Sequence, residues 1–205
     1  MIIDPGKLSE EAIYKLLVGC VMPRPIAWIS TQSNKGKFNL APFSFFNVAS
    51  RFPPTLAISI SYPTDETKGK KDTLKNIEET RELVVNVVSE ELVNNMNISA
   101  SEFPEDVNEF IAAELDFEES EKVSPPRVSK AKISMECICK EIKSIGVDTL
   151  VLAEVINFNI SNQVIQNGKV QIEDANVVGR MAGPVYCTTK DIFTMNIPDP
   201  TSYMK

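Results

Sequence analysis

The chain of 205 residues contains no histidine. Hydrolases with a serine or cysteine triad use histidine as their base, and most zinc sites and much acid–base catalysis use imidazole as well. These kinds of chemistry therefore lose their usual central residue. If the protein is an enzyme, we expect a group other than histidine to carry its reaction.

Other common signatures are also missing. The four cysteines form no CxxC pair, and no GxGxxG motif marks a Rossmann unit, so any nicotinamide has to bind without that fingerprint. No apolar run approaches the ~20 residues that span a bilayer. The segment MIIDPGKLSEE lacks the basic and apolar regions of a signal peptide. We expect a reduced, cytoplasmic protein with no membrane partner.

The charge balance limits the choice of partner. The sequence has 21 basic and 28 acidic side chains and a net charge of −7. This charge opposes any partner whose binding depends on neutralising many phosphates, so we expect no nucleic acid. A single phosphate is different, because two or three local Lys or Arg side chains can hold it.

The distribution of strands and turns predicts a mainly β fold with short helices. From Trp28 to Ser61 the pattern is strand, turn, strand, turn, strand, with breaks at 34–37 and at Pro53-Pro54. Further strands are predicted at ELVVNVV, AKISMECICKEI, TLVLAEVINFNI and VYCTT. Short strands with a few covering helices favour a barrel over a doubly wound sheet. With no repeat or long linker, we expect one domain spanning residues 1–205.

The predicted helices are short. Ser9 caps a helix in EEAIYKLLVG, whose Ile13, Leu16 and Leu17 share one face that is expected to cover one end of the core. The other predicted elements are helices beginning after Asp72, after Ser89 and at Pro104, and a surface connection from Phe117 to Val128.

The segment Asn39–Asn47, NLAPFSFFN, combines aromatic and polar side chains around a proline. In a regular strand Phe43 and Phe45 would face one way and Ser44 the other, unless a bulge resets the register. Pro42 has no N–H, so the strand is interrupted or lies at an edge there, which frees neighbouring amides. A planar, partly polar ring needs such a place. The alternative is that the phenylalanines are simply core.

A second segment, TKGKKDTLKN, suits one phosphate. Lys68, Lys70 and Lys71 precede Asp72 and Thr73 at a predicted helix start. Lysine ammonium groups, a threonine hydroxyl and helix N-terminal amides all favour a phosphate. The alternative is a solvated lysine-rich loop.

Four further residues are open to more than one interpretation. Arg24, between two prolines in MPRPIAWIST, is either a clamp for a phosphate or carboxylate or a surface arginine on extended backbone. Trp28 is expected in the core. Cys137 and Cys139 lie two apart on a predicted strand, share a face, and are expected to be small buried hydrophobes rather than metal ligands.

The order of the segments resembles a known family. PRPIAWIST, NLAPFSFFNVAS, KKDTLKNI and VVNVV follow one another as in the flavin reductase-like family of FMN-binding split barrels, which includes flavoredoxin-type proteins. LDFEESEKVSPPRV, AEV and VGRMAGPVYCTT look like later landmarks of the same family. The resemblance covers essentially the whole chain.

This resemblance implies an antiparallel split barrel, a homodimer, and FMN bound near the subunit interface. The residues expected by resemblance to lie at the flavin ring are Asn39, Ala41, Pro42, Phe43, Ser44, Phe45 and Phe46, with further contacts from Ser30 and Thr31. Those expected at the phosphate are Arg24, Lys71 and Thr73, and Ser59 and Ser61 are expected at the ring edge or phosphate.

The resemblance also implies an activity. The first hypothesis is an NAD(P)H-dependent flavin reductase or oxidoreductase with FMN. The second is a non-enzymatic flavoredoxin-type electron carrier, and the third is a barrel that binds another planar ligand or none. The absence of histidine agrees with the first two, because a flavin supplies the reactive atom itself.

Overall fold

The computed structural model describes residues 1–62 and 69–203. Its strands are β1 Ala27–Gln32, β2 Phe38–Phe43, β3 Phe46–Arg51, β4 Pro54–Ser61, β5 Glu82–Val87, β6 Phe117–Glu118, β7 Arg127–Val128, β8 Ile133–Ile145, β9 Asp148–Ile160, β10 Ile165–Gln166, β11 Lys169–Val170, β12 Val178–Arg180 and β13 Tyr186–Thr188. Its α-helices are α1 Glu10–Cys20, α2 Asp72–Thr80, α3 Val93–Ser99, α4 Glu109–Ala112 and α5 Ile172–Ala175.

Seven of the strands form one antiparallel sheet in the order β2-β1-β5-β8-β9-β4-β3. Strands β2 and β3 lie at opposite edges of this sheet, yet only Ser44 and Phe45 separate them in the chain. The three steps from Phe43 to Phe46 span at most ~11 Å, so the sheet has to curl until its edges approach each other at that end. Strand β2 also contacts β4 across the gap. The result is the predicted split antiparallel barrel.

The interior of the barrel is apolar. Residues from six of the sheet strands pack there with Leu74 and Ile77 of α2, and both helix residues are buried. Cys137 and Cys139 belong to this cluster, as expected. Burial raises the pKa of the Cys137 thiol to about 12, so this thiol stays protonated and unreactive at neutral pH.

A second apolar layer lies on the outside of the sheet. Trp28, Leu40 and Val88 pack there with Met96 of α3 and Phe110 of α4. Trp28 is fully buried, which confirms the prediction, and its indole N–H donates to the Ser99 hydroxyl at 2.9 Å. The outer layer therefore fixes the end of α3 over β1.

A buried amide joins this layer to the sheet. The Asn86 amino group donates to the Trp28 carbonyl at 3.1 Å, and its oxygen accepts from the Val128 N–H at 3.0 Å and the Ser134 hydroxyl at 2.9 Å. Val128 is buried, as are Pro125 and Pro126. The prediction of a surface connection over Phe117–Val128 was thus wrong for its second half, which Asn86 draws into the fold.

Three helix predictions also need correction. Helix α1 begins after Ser9, whose hydroxyl accepts from the Ala12 N–H as predicted, but Leu16 and Leu17 are exposed rather than packed on the core. The expected helix at Pro104 begins instead at Glu109, capped by Asn108. The helix expected after Ser89 is a 3-10 turn at Glu90–Leu92 that leads into α3, without a capping bond from that serine.

We predict that Asn86→Ala lowers the free energy of unfolding by about 3 kcal/mol, because it leaves buried partners on three segments unpaired. Urea denaturation of both proteins measures this change. Asn34→Ala, in the exposed turn between β1 and β2, is the control and is expected to stay within about 0.5 kcal/mol of wild type. Equal stability of Asn86→Ala and wild type would contradict the role of this amide.

Candidate functional site

The bend between β2 and β3 positions most of the predicted site residues. Strand β2 is a sheet edge, as Pro42 requires, and Pro42 lies opposite Trp28 in the register. Phe43 is buried in the barrel interior and Phe46 packs against the same cluster. The bend at residues 44–45 therefore resets the alternation, which is the exception that the sequence left open, and Phe43 and Phe45 do not share a face.

On one side of the bend lies a cavity of about 450 Å³, which we call the lysine-rimmed cavity. Its walls come from β2, the start of α2, the loop after α3, and α4. The lining residues are Asn39, Ala41, Pro42, Phe43, Lys70, Lys71, Asp72, Thr73, Lys75, Ser99, Ala100, Ser101, Glu102, Phe103, Pro104, Glu105 and Glu109. It therefore joins the two segments, NLAPFSFFN and KKDT, that the sequence indicated separately.

The apolar and cationic parts of this cavity are neighbours. Ala41, Pro42 and Phe43 form the strand-edge wall. The Lys71 ammonium nitrogen lies 5.8 Å from the centroid of the Phe43 ring. An aromatic wall and a cation thus meet at one end of the cavity.

The lysines of the cavity differ in availability. Lys70 pairs with Glu78 at 2.6 Å, and Lys75 pairs with Asp72 at 2.9 Å. For Lys71 no ion pair is found among residues 1–62 and 69–203, and its ammonium group lies at the Phe43 ring. Lys68, the third lysine of the predicted phosphate segment, lies outside the described residues.

Buried polar groups form the inner wall. The Thr73 hydroxyl and the Asn39 side-chain amide lie 2.8 Å apart, and the amide orientation that satisfies its neighbours directs its amino group to the Glu109 carboxylate at 3.3 Å. Glu109 in turn accepts a hydrogen bond from the Leu40 N–H at 3.1 Å. The wall is therefore a connected chain from α2 through β2 to α4.

Glu109 carries an unusual carboxyl. Burial raises its pKa above the ordinary glutamate value, and the negative charge of Asp72 adds to this rise, while the hydrogen bond from Leu40 offsets part of it. The folded state therefore favours the protonated form more than the unfolded chain does.

On the other side of the bend lies a cavity of about 350 Å³, which we call the Arg24 cavity. It is lined mostly by apolar side chains. The lining residues are Leu17, Val21, Pro23, Arg24, Pro25, Ser44, Phe45, Phe46, Asn47, Ala57, Ser59 and Leu150. Five of the predicted flavin contacts, namely Arg24, Ser44, Phe45, Phe46 and Ser59, lie here and not in the lysine-rimmed cavity.

The Arg24 guanidinium forms hydrogen bonds within the protein. Its guanidinium donates to the carbonyls of Val18 at 2.9 Å, Val21 at 2.6 Å and Met181 at 2.9 Å, and it is nine-tenths buried. The Val18 and Val21 carbonyls belong to the C-terminal end of α1, where a cation is favourable. Three of the guanidinium hydrogen bonds thus go to backbone carbonyls, and a phosphate contact from Arg24 stays a prediction.

Three more predicted contacts reach neither cavity. The Ser30 hydroxyl is fully buried and donates to the Pro126 carbonyl, and the fully buried Thr31 hydroxyl accepts from the Asn76 amide at 3.0 Å. Ser61, the last residue of β4, is exposed. The protein itself satisfies the two buried hydroxyls, so the structure does not support their side chains as flavin contacts.

Sequence reasoning missed the third wall of the lysine-rimmed cavity. This wall is the loop at 99–105 together with Glu109. Periodicity assigned residues 104–114 to a single helix, and no local pattern brings that segment against β2. The one available signal was the position of Glu109 among the apolar residues of NEFIAA.

The fold is a split antiparallel barrel, and its candidate site is a cavity between a strand edge and a helix start. Comparison with known proteins agrees with this fold. The family model described as "Flavin reductase like domain" matches residues 18–173, so the chain belongs to the flavin reductase-like family.

Individual relatives cover nearly all of the chain. An uncharacterized protein of Aquifex aeolicus is 42% identical over 177 residues, which are 86% of this chain and 89% of that protein. The crystal structure of nitrilotriacetate monooxygenase component B from Bacillus cereus superposes with a TM-score of 0.90 at 30% identity, covering 95% of this chain and 98% of the other. A Shewanella frigidimarina protein described as a flavin reductase with a split barrel domain has a TM-score of 0.81 at 17% identity, covering 94% and 96%, and thus shares the fold.

The raised pKa of Glu109 predicts a pH-dependent stability. Because the folded-state pKa exceeds the unfolded one, this residue reduces stability as pH rises from about 4.3 through the folded pKa. Glu109→Gln removes that loss, so its stability relative to wild type should increase between pH 4 and pH 7. Urea denaturation at several pH values measures this difference. The exposed Glu119→Gln is the control, and an equal pH trend in both variants would contradict the assignment.

Proposed function

We propose that this chain is an FMN-dependent oxidoreductase whose flavin occupies the lysine-rimmed cavity. One observation carries the proposal: the apolar strand edge at Ala41–Phe43 and the start of α2 with Lys71 and Thr73 line the same cavity. A ring and a phosphate on one ligand need such a pair of walls. The volume of about 450 Å³ also lies within the range of about 300–1,000 Å³ usual for ligand pockets.

The phosphate end belongs at α2. This helix has nine residues, its N-cap is Lys71, and no side chain of that N-cap bonds to its first turn. Helix N-terminal amides and a lysine ammonium group both favour an anion. The Thr73 hydroxyl lies on the same first turn, next to Asn39. Lys71, Thr73 and the first amides of α2 are therefore the groups that would hold the phosphate.

The ring end belongs at β2. Pro42 stands on an edge strand, and among the described strands β2 is hydrogen-bonded to β1 alone. The wall at Ala41, Pro42 and Phe43 offers apolar surface for a ring face, and edge backbone groups offer hydrogen bonds to ring oxygens and nitrogens. Asn39 and its partner Glu109 would fix the polar end of this wall.

The chemistry follows from what the cavity lacks. A bound flavin supplies a hydride acceptor and donor, so the protein has to bind, orient and exclude water rather than provide a base. The sequence contains no histidine, and the described cavity walls supply lysines, carboxylates, hydroxyls and apolar groups. NAD(P)H is the proposed donor, binding to the exposed side of the flavin.

The proposal extends to the assembly. The whole 205-residue chain acts as one FMN-binding domain, in the cytoplasm, as a homodimer with the flavin near the interface. Leu17, Val21 and Met22 at the end of α1 and Phe52 after β3 are exposed apolar residues, which a second copy would cover. No helix among residues 1–62 and 69–203 has the length and apolarity to cross a bilayer.

We predict that Lys71→Ala combined with Thr73→Ala weakens FMN binding by about 100-fold, because two groups that hold the phosphate are lost. Fluorescence quenching of added FMN measures the dissociation constant. The double variant Lys143→Ala with Thr201→Ala, at exposed positions, is expected to bind like wild type. Unchanged affinity after loss of Lys71 and Thr73 would place the phosphate elsewhere, and a wild-type protein that takes up no FMN would contradict the proposal itself.

A second prediction separates the enzyme from the electron carrier. Mixing the FMN-loaded protein with NADH or NADPH without air is expected to bleach the flavin absorption within seconds. Bleaching by either nucleotide supports a reductase. No bleaching with both, together with reduction by dithionite, would instead indicate a flavoredoxin-type carrier that exchanges electrons with a protein.

A further inference from the structure

The C-terminal segment of the described chain is apolar and uncovered. Phe193, Met195 and Ile197 are 84%, 80% and 96% exposed, and Thr194 and Asn196 lie between them. The segment has no regular secondary structure. In an extended conformation the apolar residues at 193, 195 and 197 would share one face, and the exposed Ile192 would lie on the other. We call residues 191–198 the arm.

The arm needs a partner surface. Three large apolar side chains that remain in water forgo the favourable free energy of burial. Single exposed apolar residues are ordinary, but a continuous apolar face on an extended segment is typical of an interaction site.

The Arg24 cavity is a complementary surface. It is a groove of about 350 Å³ whose walls include Leu17, Val21, Phe45 and Phe46. The adjoining face of α1 adds the exposed Tyr14, whose ring lies 6.4 Å from that of Phe45. Two other described cavities are lined largely by charged and polar groups, and the lysine-rimmed cavity is the proposed flavin site. The Arg24 cavity is therefore the one whose lining suits the arm.

Within one chain, strand β13 runs away from this groove before the arm begins. The backbone of Arg24 forms a β-bridge with that of Arg180, which lies opposite Tyr186. From Tyr186 the strand β13 runs to Thr188, opposite Val178, and so away from Arg24. Lys190 then forms an ion pair with Glu90 at 2.7 Å, which places the start of the arm beside the 3-10 turn.

We propose that the arm of one chain docks in the Arg24 cavity and against α1 of a second copy. The inference rests on the dimer proposed above and names the parts that form it. Phe193 and Met195 enter the groove, and Thr194 and Asn196 remain on the solvent side. Because the exchange is reciprocal, one pair of chains buries both apolar surfaces twice, as a closed two-fold dimer requires.

The test compares two variants that add the same charge to the arm. Phe193→Asp with Met195→Asp is expected to weaken dimerisation by about 100-fold or more, because two carboxylates would enter an apolar groove. Thr194→Asp with Asn196→Asp adds the same charge on the other face and is expected to change it by less than about fivefold. Sedimentation velocity over a dilution series measures the dissociation constants, with FMN affinity measured separately.

A second measurement tests the groove. Benzoylphenylalanine at position 193, in an equal mixture of light and ¹⁵N-labelled chains, is expected to crosslink to the region of Leu17–Val21 in light–heavy pairs. Leu17→Glu, on the groove side, is expected to weaken the dimer in the same way as the arm variant. Crosslinks within one chain, or to another surface, would overturn the proposal.

The outcomes are distinct. A wild-type protein that is monomeric at every concentration overturns the dimer and the arm together. A stable dimer that tolerates both the Phe193/Met195 variant and a chain ending at Lys190 overturns the arm alone. Neither result depends on FMN, so failure of the flavin proposal is seen separately in the FMN titration.

Discussion

The two-residue connection at Ser44 and Phe45 is the constraint on which the rest of the structure depends. It joins the two edge strands of a seven-stranded sheet, so the sheet can satisfy it only by curling. The same bend directs Phe43 and Phe46 into one core and leaves a cavity on each side. The same bend therefore closes the barrel and forms both cavities.

Much of the fold follows from local signals in the sequence. The edge position of Pro42, the capped start of α1, the buried run of β5 and the long pair β8 and β9 all agree with prediction. Each depends on proline chemistry, capping or side-chain periodicity over a few residues. The errors arose where a distant partner decides. Asn86 draws residues 125–128 inward, and α1 presents Leu16 and Leu17 to solvent.

The candidate site shows the same division. Resemblance supplied a single set of flavin contacts, but the structure distributes that set over two cavities and the interior. Spacing along a strand cannot show that Ser44 falls on the opposite side of a bend from Phe43. Nor can it show that the Arg24 guanidinium donates to the carbonyls of Val18, Val21 and Met181. Glu109 escaped notice because its partners, Leu40 and Asn39, are about seventy residues away in sequence.

Arg24 also has a mechanical consequence. One guanidinium holds the end of the first helix and the Met181 carbonyl, and the backbone of Arg24 pairs with that of Arg180. Helix α1 and the segment around β12 are thereby held together. Loosening the first helix would release this contact, so the amino-terminal and carboxyl-terminal parts of the chain should unfold and exchange amide hydrogens as a single unit.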